Sequence, residues 1–291
     1  MKIGIESCYG FGDCLMNAGV LAKLSQSLGD IKFDVAVGES HQDAFYNLSY
    51  VNIIPLKGFR PLGKGMEHFK NSDYDVCYQM TQHATWNNQT SLLLTPSINA
   101  KKLCDEMADV TWCDWEVFGD LLEPHFRPPV FIPTPEEIRN VSSFVRHDLS
   151  GKPIIAIETG FTSNQSWLDF PTIRMIRDHY ADSHEVLFVS KDNPCCQKLD
   201  GLTRRECVVL LGYCEKFFNT CSGFFVASIS GPIELQLSRC VSNGLYPALE
   251  NICMISTSSY ETFKLQHLKD EYPNVTFAHN LQDLMNFLRN N

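Results

Sequence analysis

The sequence predicts an α/β protein built from two Rossmann-like halves, and three observations carry that prediction. Short apolar, strand-like runs alternate with amphipathic helical ones along most of the 291 residues. Each half opens on a strand that runs into a glycine-bearing turn, "SCYGFGDC" at 7–14 and "ETGFTS" at 158–163. Between them, "RPPVFIPTPEE" (127–137) holds four prolines, which block regular structure and mark a connector. The expectation is a first domain over 1–133 and a second over 134–291. The two would be hinged near 127–152 and would face each other across a cleft.

The elements follow in order. "KIGIE" (2–6) alternates like a short strand. A helix runs from about Gly12 to Leu28, with Leu21, Leu24 and Leu28 at helical spacing. "KFDVAVG" (32–38), a short helix near Phe45, "NIIPL" (52–56) and "DVCYQM" (75–80) come next, and 83–126 yields no element. At the connector, Thr134 as N-cap, Pro135 at the first helical position and Glu137 two residues later form a capping box. Ile138, Val141, Val145 and Leu149 then share one helical face. The second half reads as "PIIAIE" (153–158), a helix from about Phe170, and "EVLFVS" (185–190). A capped helix "TRRECVVLLG" (203–212, with Thr203 and Glu206) leads to "FFVASIS" (224–230), read as a strand, and a helix from Pro232. "NICMIST" (251–257), a helix near 260–269, "NVTFAH" (274–279) and a terminal helix (281–289) complete it. The terminal helix would be available to pack back on the first domain.

Composition excludes several function classes. With 44% hydrophobic and 20% charged residues, the chain reads as globular and soluble. No apolar run reaches the roughly 20 residues that a membrane span requires. No secretory pattern precedes the first strand, so a cytoplasmic location is the expectation. A net charge of −10 without basic clusters argues against nucleic acid as the main partner, since phosphate neutralisation supplies most of that affinity. Backbone amides at helix starts are still able to hold a small anion. The twelve cysteines contain no C-x-x-C pair, and the adjacent Cys195 and Cys196 are poorly placed to share a zinc. They read as reduced thiols, and no metal is expected.

Three turns are candidate ligand sites. Asp13 falls in the first turn of the first helix, where a carboxylate either stabilises the helix dipole or, kept ionised by it, accepts a proton. Gly10 and Gly12 allow a ligand close to the backbone there. In "SISGPIELQLSRC", Ser230 and Gly231 are read as the point where a strand ends and a helix begins, followed by Pro232 and by Glu234 one turn in. In "IETGFTSNQSW", Thr159, Gly160, Thr162 and Ser163 offer hydroxyls and amides. Asp73 and Asp75 form a D-x-D pair, but at the start of a strand and away from a Rossmann crevice, so no metal is assigned to them.

These residues together resemble glycosyltransferase family nine, the heptosyltransferase-like family of GT-B architecture. "MKIGIESCYGFGDCLMNAGVLAKLSQSLGDIKFDVAVGE" is similar to the family's opening strand, G-D dipeptide, helix and second strand, and "YDVCYQM" to its later Y-D strand. "IIAIETGFTSNQSWLDF" resembles the donor-binding turn that usually ends in Lys-x-Trp. "TRRECVVLLGYCEKFFNTCSGFFVASISGPIELQLSRC" resembles the segment carrying its D-[ST]-G-x-x-H turn. The resemblance implies metal-independent, inverting transfer of a sugar from a nucleotide-diphosphate donor to a hydroxyl of a glycan acceptor, with no cofactor. It makes Asp13 the catalytic base, the first domain the acceptor side and the second the donor side. Gly12, Thr159, Gly160, Thr162, Ser163, Gln165, Lys191, Ser230, Gly231, Pro232 and Glu234 become donor-binding candidates. The family's lysine before Trp167 is Gln165 here, which makes Lys191 the replacement candidate. With the late turn matched at Ser230–Gly231, Ile229 and Glu234 stand where the family has aspartate and histidine. That gives the S-G-x-x-E arrangement of other GT-B enzymes, whose glutamate meets the nucleotide ribose. The alternatives are another GT-B sugar-nucleotide enzyme, an epimerase or hydrolase, and a non-catalytic relative that only binds sugar nucleotides or glycans.

Overall fold

The computed structural model describes residues 2–7, 10–27, 29, 31–58, 63–70, 72–80, 92–93, 130–159, 168–189, 201–230, 249–262 and 274–290. The chain divides into two compact units, Met1–Ile132 with Ser230–Pro232, and Pro133–Ile229 with Ile233–Asn291. Each holds its own five-stranded sheet.

In the first unit, β1 (Ile3–Ser7), α1 (Phe11–Ser27), β2 (Phe33–Gly38), β3 (Val51–Leu56), α2 (Lys64–Lys70), β4 (Val76–Met80) and the two-residue β5 (Leu92–Leu93) follow one another. The sheet order is β3-β2-β1-β4-β5, parallel except for β5 against β4. β1 is buried along its whole length, as a parallel strand covered on both faces must be. Neither α2 nor β5 was legible beforehand. Asp75 lies just before β4, and its carboxylate accepts the Lys2 backbone N–H at 2.8 Å, which ties the starts of β1 and β4 together.

The helix α2 seats unusually close to the sheet. A Cβ on Gly4 would lie 2.9 Å from the ring of Phe69, and one on Gly65 would lie 2.8 Å from the Ala36 Cβ. Phe69 is fully buried and meets Tyr74 edge to face, with ring centroids 4.7 Å apart. The ring therefore has no room to yield.

The second unit begins with α3 (Pro135–His147). It continues through β6 (Ile154–Glu158), α4 (Phe170–Tyr180), β7 (Glu185–Val189), α5 (Arg204–Leu211), β8 (Lys216–Thr220) and α6 (Gly223–Ser228). It ends with β9 (Glu250–Met254), α7 (Thr257–Thr262), β10 (Val275–Ala278) and α8 (Leu281–Asn290). Its order, β7-β6-β8-β9-β10, is all parallel. Both expected capping boxes form, at Thr134/Glu137 and Thr203/Glu206. Each capping glutamate also holds the other helix: Arg205 donates to Glu137 at 2.6 Å and Asn140 to Glu206 at 2.7 Å.

One expectation is corrected. The strand lies over Lys216–Thr220, and the run read as a strand at 224–230 is instead the helix α6 with its C-cap and the residue that follows. Ser222 decides this, because its hydroxyl accepts the backbone N–H groups of Phe224 and Phe225 and starts a helix there. The terminal helix α8 buries Leu284 and Leu288 in the second unit's own core, with Ile155, Ile176, Tyr180 and Phe218. Its apolar face is thus occupied within the second unit.

Gly4→Ala is expected to lower stability by about 1–3 kcal/mol, the cost of forcing an extra methyl into a filled core. Urea denaturation of the variant measures this, and an unchanged midpoint would show that Phe69 is free to move.

Candidate functional site

Parallel strands place all their carboxyl ends on one edge of the sheet, and ligands sit where neighbouring crossovers diverge to opposite faces. In the first unit that point lies between β1 and β4. Asp13 is half-buried in the first turn of α1, and its Oδ2 accepts the Gly10 N–H at 2.9 Å. The carboxylate therefore closes the helix start, as one of its two readings required. Behind it, the buried Ser7 hydroxyl accepts from Asn17 Nδ2 at 2.9 Å and donates to Cys14 Sγ at 3.5 Å. This tie fixes the end of β1 to the first two turns of α1, just after Asp13. Gly12 is buried in the same turn. Glu6, fully buried, accepts the N–H groups of Gly63 and Met66 and so anchors the start of α2.

In the second unit the divergence lies between β6 and β8. Glu158, the last residue of β6, is almost completely buried there. Its Oε2 accepts from the Thr220 N–H at 3.2 Å, the Thr220 hydroxyl at 3.3 Å and the Ser222 hydroxyl at 2.7 Å. Through Ser222, the carboxyl is linked to the cap of α6. Burial raises the Glu158 pKa from its ordinary 4.5 to about 7, against the lowering effect of those three donors. On β9, next to β8, Cys253 is fully buried, and desolvation with Cys221 and Glu158 nearby holds its thiol neutral. Nothing in the sequence singled Glu158 out, because a carboxylate ending an apolar strand reads simply as the exposed strand end.

Of the candidate donor residues, Thr159 directly follows Glu158 and donates its N–H to the Val189 carbonyl at 3.3 Å. Ser230 is buried, but it follows the C-cap of α6 at Ile229 rather than a strand. The second unit's turn from the end of β8 into a helix is Thr220–Gly223, so the Ser-Gly pair at that turn is Ser222–Gly223 and not Ser230–Gly231. Gly160, Thr162, Ser163, Gln165, Lys191, Gly231, Pro232 and Glu234 lie outside the described residues. Among the described residues, no group of three or more His, Cys, Asp or Glu side chains is arranged to hold a metal ion. No described helix is long and apolar enough to cross a membrane.

Two five-stranded sheets, the second all parallel and the first parallel except for β5, make an α/β fold that solved glycosyltransferase structures share. ADP-heptose LPS heptosyltransferase II of E. coli matches over 100% of this chain and 99% of its own, with a TM-score of 0.59 and 14% identity. A family 9 glycosyltransferase from Veillonella parvula covers 100% of this chain and 97% of its own, at a TM-score of 0.56 and 12% identity. The E. coli heptosyltransferase WaaC, solved with ADP, covers 87% of this chain and 86% of its own, at 0.50 and 12%. No protein-family model matches the sequence, and no curated protein matches it either. The likeness to family nine is thus one of fold.

The Glu158 carboxyl is a stability switch with a defined sign. Its folded pKa is raised, so its contribution is complete below about pH 4.5 and is lost as pH climbs through about 7. The loss is on the order of 3 kcal/mol for a shift of this size. Thermal melts of wild type and Glu158→Gln between pH 4.5 and 8 should diverge in slope, with the Gln variant flatter. Parallel curves would mean that Glu158 stays ionised in the folded chain.

Proposed function

We propose that this protein is a glycosyltransferase that moves a sugar from a nucleoside-diphosphate donor to a hydroxyl of a glycan acceptor. The observation that carries the reading is a fold match running the full length of this chain and nearly the full length of two glycosyltransferases. The first βα unit, with its aspartate in the first turn of α1, adds chemistry to that fold.

The transfer is inverting and needs neither metal nor cofactor. The acceptor oxygen attacks the anomeric carbon and forms the new glycosidic bond. The bond from that carbon to the donor's phosphate oxygen breaks, and the diphosphate leaves with the electron pair. Asp13 accepts the acceptor's hydroxyl proton. Charge develops on the sugar ring and on the leaving diphosphate, as in the oxocarbenium-like transition state of glycoside hydrolysis. The donor binds at the carboxyl edge of the second sheet, where β6 and β8 diverge. Thr159 and the turn Thr220–Gly223 form its floor. The segments holding Gly160, Thr162, Ser163, Gln165, Lys191, Gly231, Pro232 and Glu234 contribute the remaining contacts, with Glu234 toward the ribose.

Acceptor-dependent release of nucleoside diphosphate from a panel of nucleotide sugars is the direct test. Release without acceptor would make the protein a hydrolase, and binding without release a recognition module. Asp13→Asn keeps an acceptor for the Gly10 N–H and so keeps the helix start. Its turnover should fall on the order of a hundredfold or more, the usual contribution of a positioned base, with donor affinity unchanged by calorimetry. Near-normal turnover in this variant would leave Asp13 as a helix cap alone.

A further inference from the structure

Three features around Glu158 fit together. Among the described residues, every hydrogen bond to its carboxyl ends on Oε2, so nothing described engages Oε1. The paired register of β6 and β8 runs to Ile157 opposite Phe218, which places Glu158 beside Asn219 at the next step. Ile157 and Phe218 face one core, so by alternation Glu158 and Asn219 share the opposite face, on strands about 4.8 Å apart.

Asn219 is fully buried, and its amide donates to the Phe217 carbonyl and to Asn251 Oδ1. Its own Oδ1 is a buried acceptor with no hydrogen-bond partner. A buried acceptor without a donor is costly, and an ionised carboxylate next to it offers no donor. A protonated one does.

We propose that Glu158 works as a neutral carboxylic acid, its Oε1 proton directed to Asn219 Oδ1, and that donor binding is coupled to uptake of this proton. The inference rests on the donor site proposed above. An anionic diphosphate at the crevice floor favours the uncharged form of a carboxyl buried directly beneath it, and the raised pKa of Glu158 agrees with that direction. The titratable groups described beside it are thiols, Cys221 on the turn after β8 and Cys253 on β9; β7 presents Val189 at its register. Glu158 is therefore a positioning residue, acting through the Thr220–Ser222 turn and through its charge.

The test uses the full chain with ADP-glucose, GDP-glucose and UDP-glucose, whose diphosphate diesters do not titrate near neutrality. Calorimetry at about pH 6 and pH 8, in two buffers of different ionisation enthalpy, reads affinity and proton uptake together. For wild type, the dissociation constant of a bound probe should rise about tenfold between these values, as the competent fraction falls. Glu158→Gln, whose amide donates to Asn219 as the acid would, should bind at the wild-type pH 6 level at both values. Binding with no proton uptake by wild type at about pH 8, or an unchanged pH dependence in Glu158→Gln, overturns the inference and leaves the donor site standing. Failure of all three probes to bind wild type at pH 6 overturns the donor site for these nucleotide sugars and the inference with it. If Glu158→Gln does not fold, proton uptake by wild type decides alone.

Discussion

Parallel strands must each be followed by a crossover, and where two crossovers leave for opposite faces the strand ends between them stay uncovered. The rest of the second unit depends on how that exposed floor, between β6 and β8, is closed. Four polar groups meet there: the Glu158 carboxyl, the Thr220 amide and hydroxyl, and the Ser222 hydroxyl. Ser222 passes the constraint on, because the oxygen that donates to Glu158 also caps α6. One half-buried oxygen therefore sets both the path of the turn and the start of the helix that covers the sheet.

The first unit solves the same problem with the same residue type. Glu6 lies one residue from the end of β1, as Glu158 lies at the end of β6, and both are buried. Each holds a helix start on a different crossover, α2 for Glu6 and α6 for Glu158. The partners differ in a way that matters. Glu6 takes one backbone N–H on each of its oxygens, from Gly63 and Met66. Glu158 takes all its described donors on one oxygen, and two of the three are hydroxyls. The first arrangement is a structural anchor; the second leaves an oxygen for chemistry.

Much of this architecture was legible in the sequence. The capping boxes at Thr134 and Thr203, the proline-rich connector and the strands ending at Ser7 and Glu158 carry strong local signals, since side-chain caps and breakers act within a few residues. The Phe-rich run 216–230 was not. "KFFNT" and "FFVAS" are both short apolar stretches, and length and composition do not separate a buried strand from a buried helical turn. The difference is settled by Ser222 and by its bond to Glu158, 64 residues away in sequence, which no local reading contains. That one shift moved the Ser-Gly pair of the strand-to-helix turn from 230–231 to 222–223. α2 escaped notice for a related reason. Seven residues with an internal glycine hold a helix only because Glu6 and the close seat at Gly65 fix it.

The corrected turn also changes what the chemistry requires. With Thr220, Cys221, Ser222 and Gly223 at the strand end, the described floor of the proposed donor site carries hydroxyls, a thiol and a buried acid. It holds no cation. A fixed negative charge under a diphosphate would then oppose binding with nothing described to offset it. Burial, the orphaned acceptor on Asn219 and the hydroxyl-rich turn all favour the proton-bearing form of Glu158 instead. A floor that is polar but uncharged holds an anion through oriented dipoles, which cost no reorganisation as the leaving group gains charge. On this reading the acid at the end of β6 is not a misplaced charge. It is a neutral member of the dipolar floor, and its proton keeps it so.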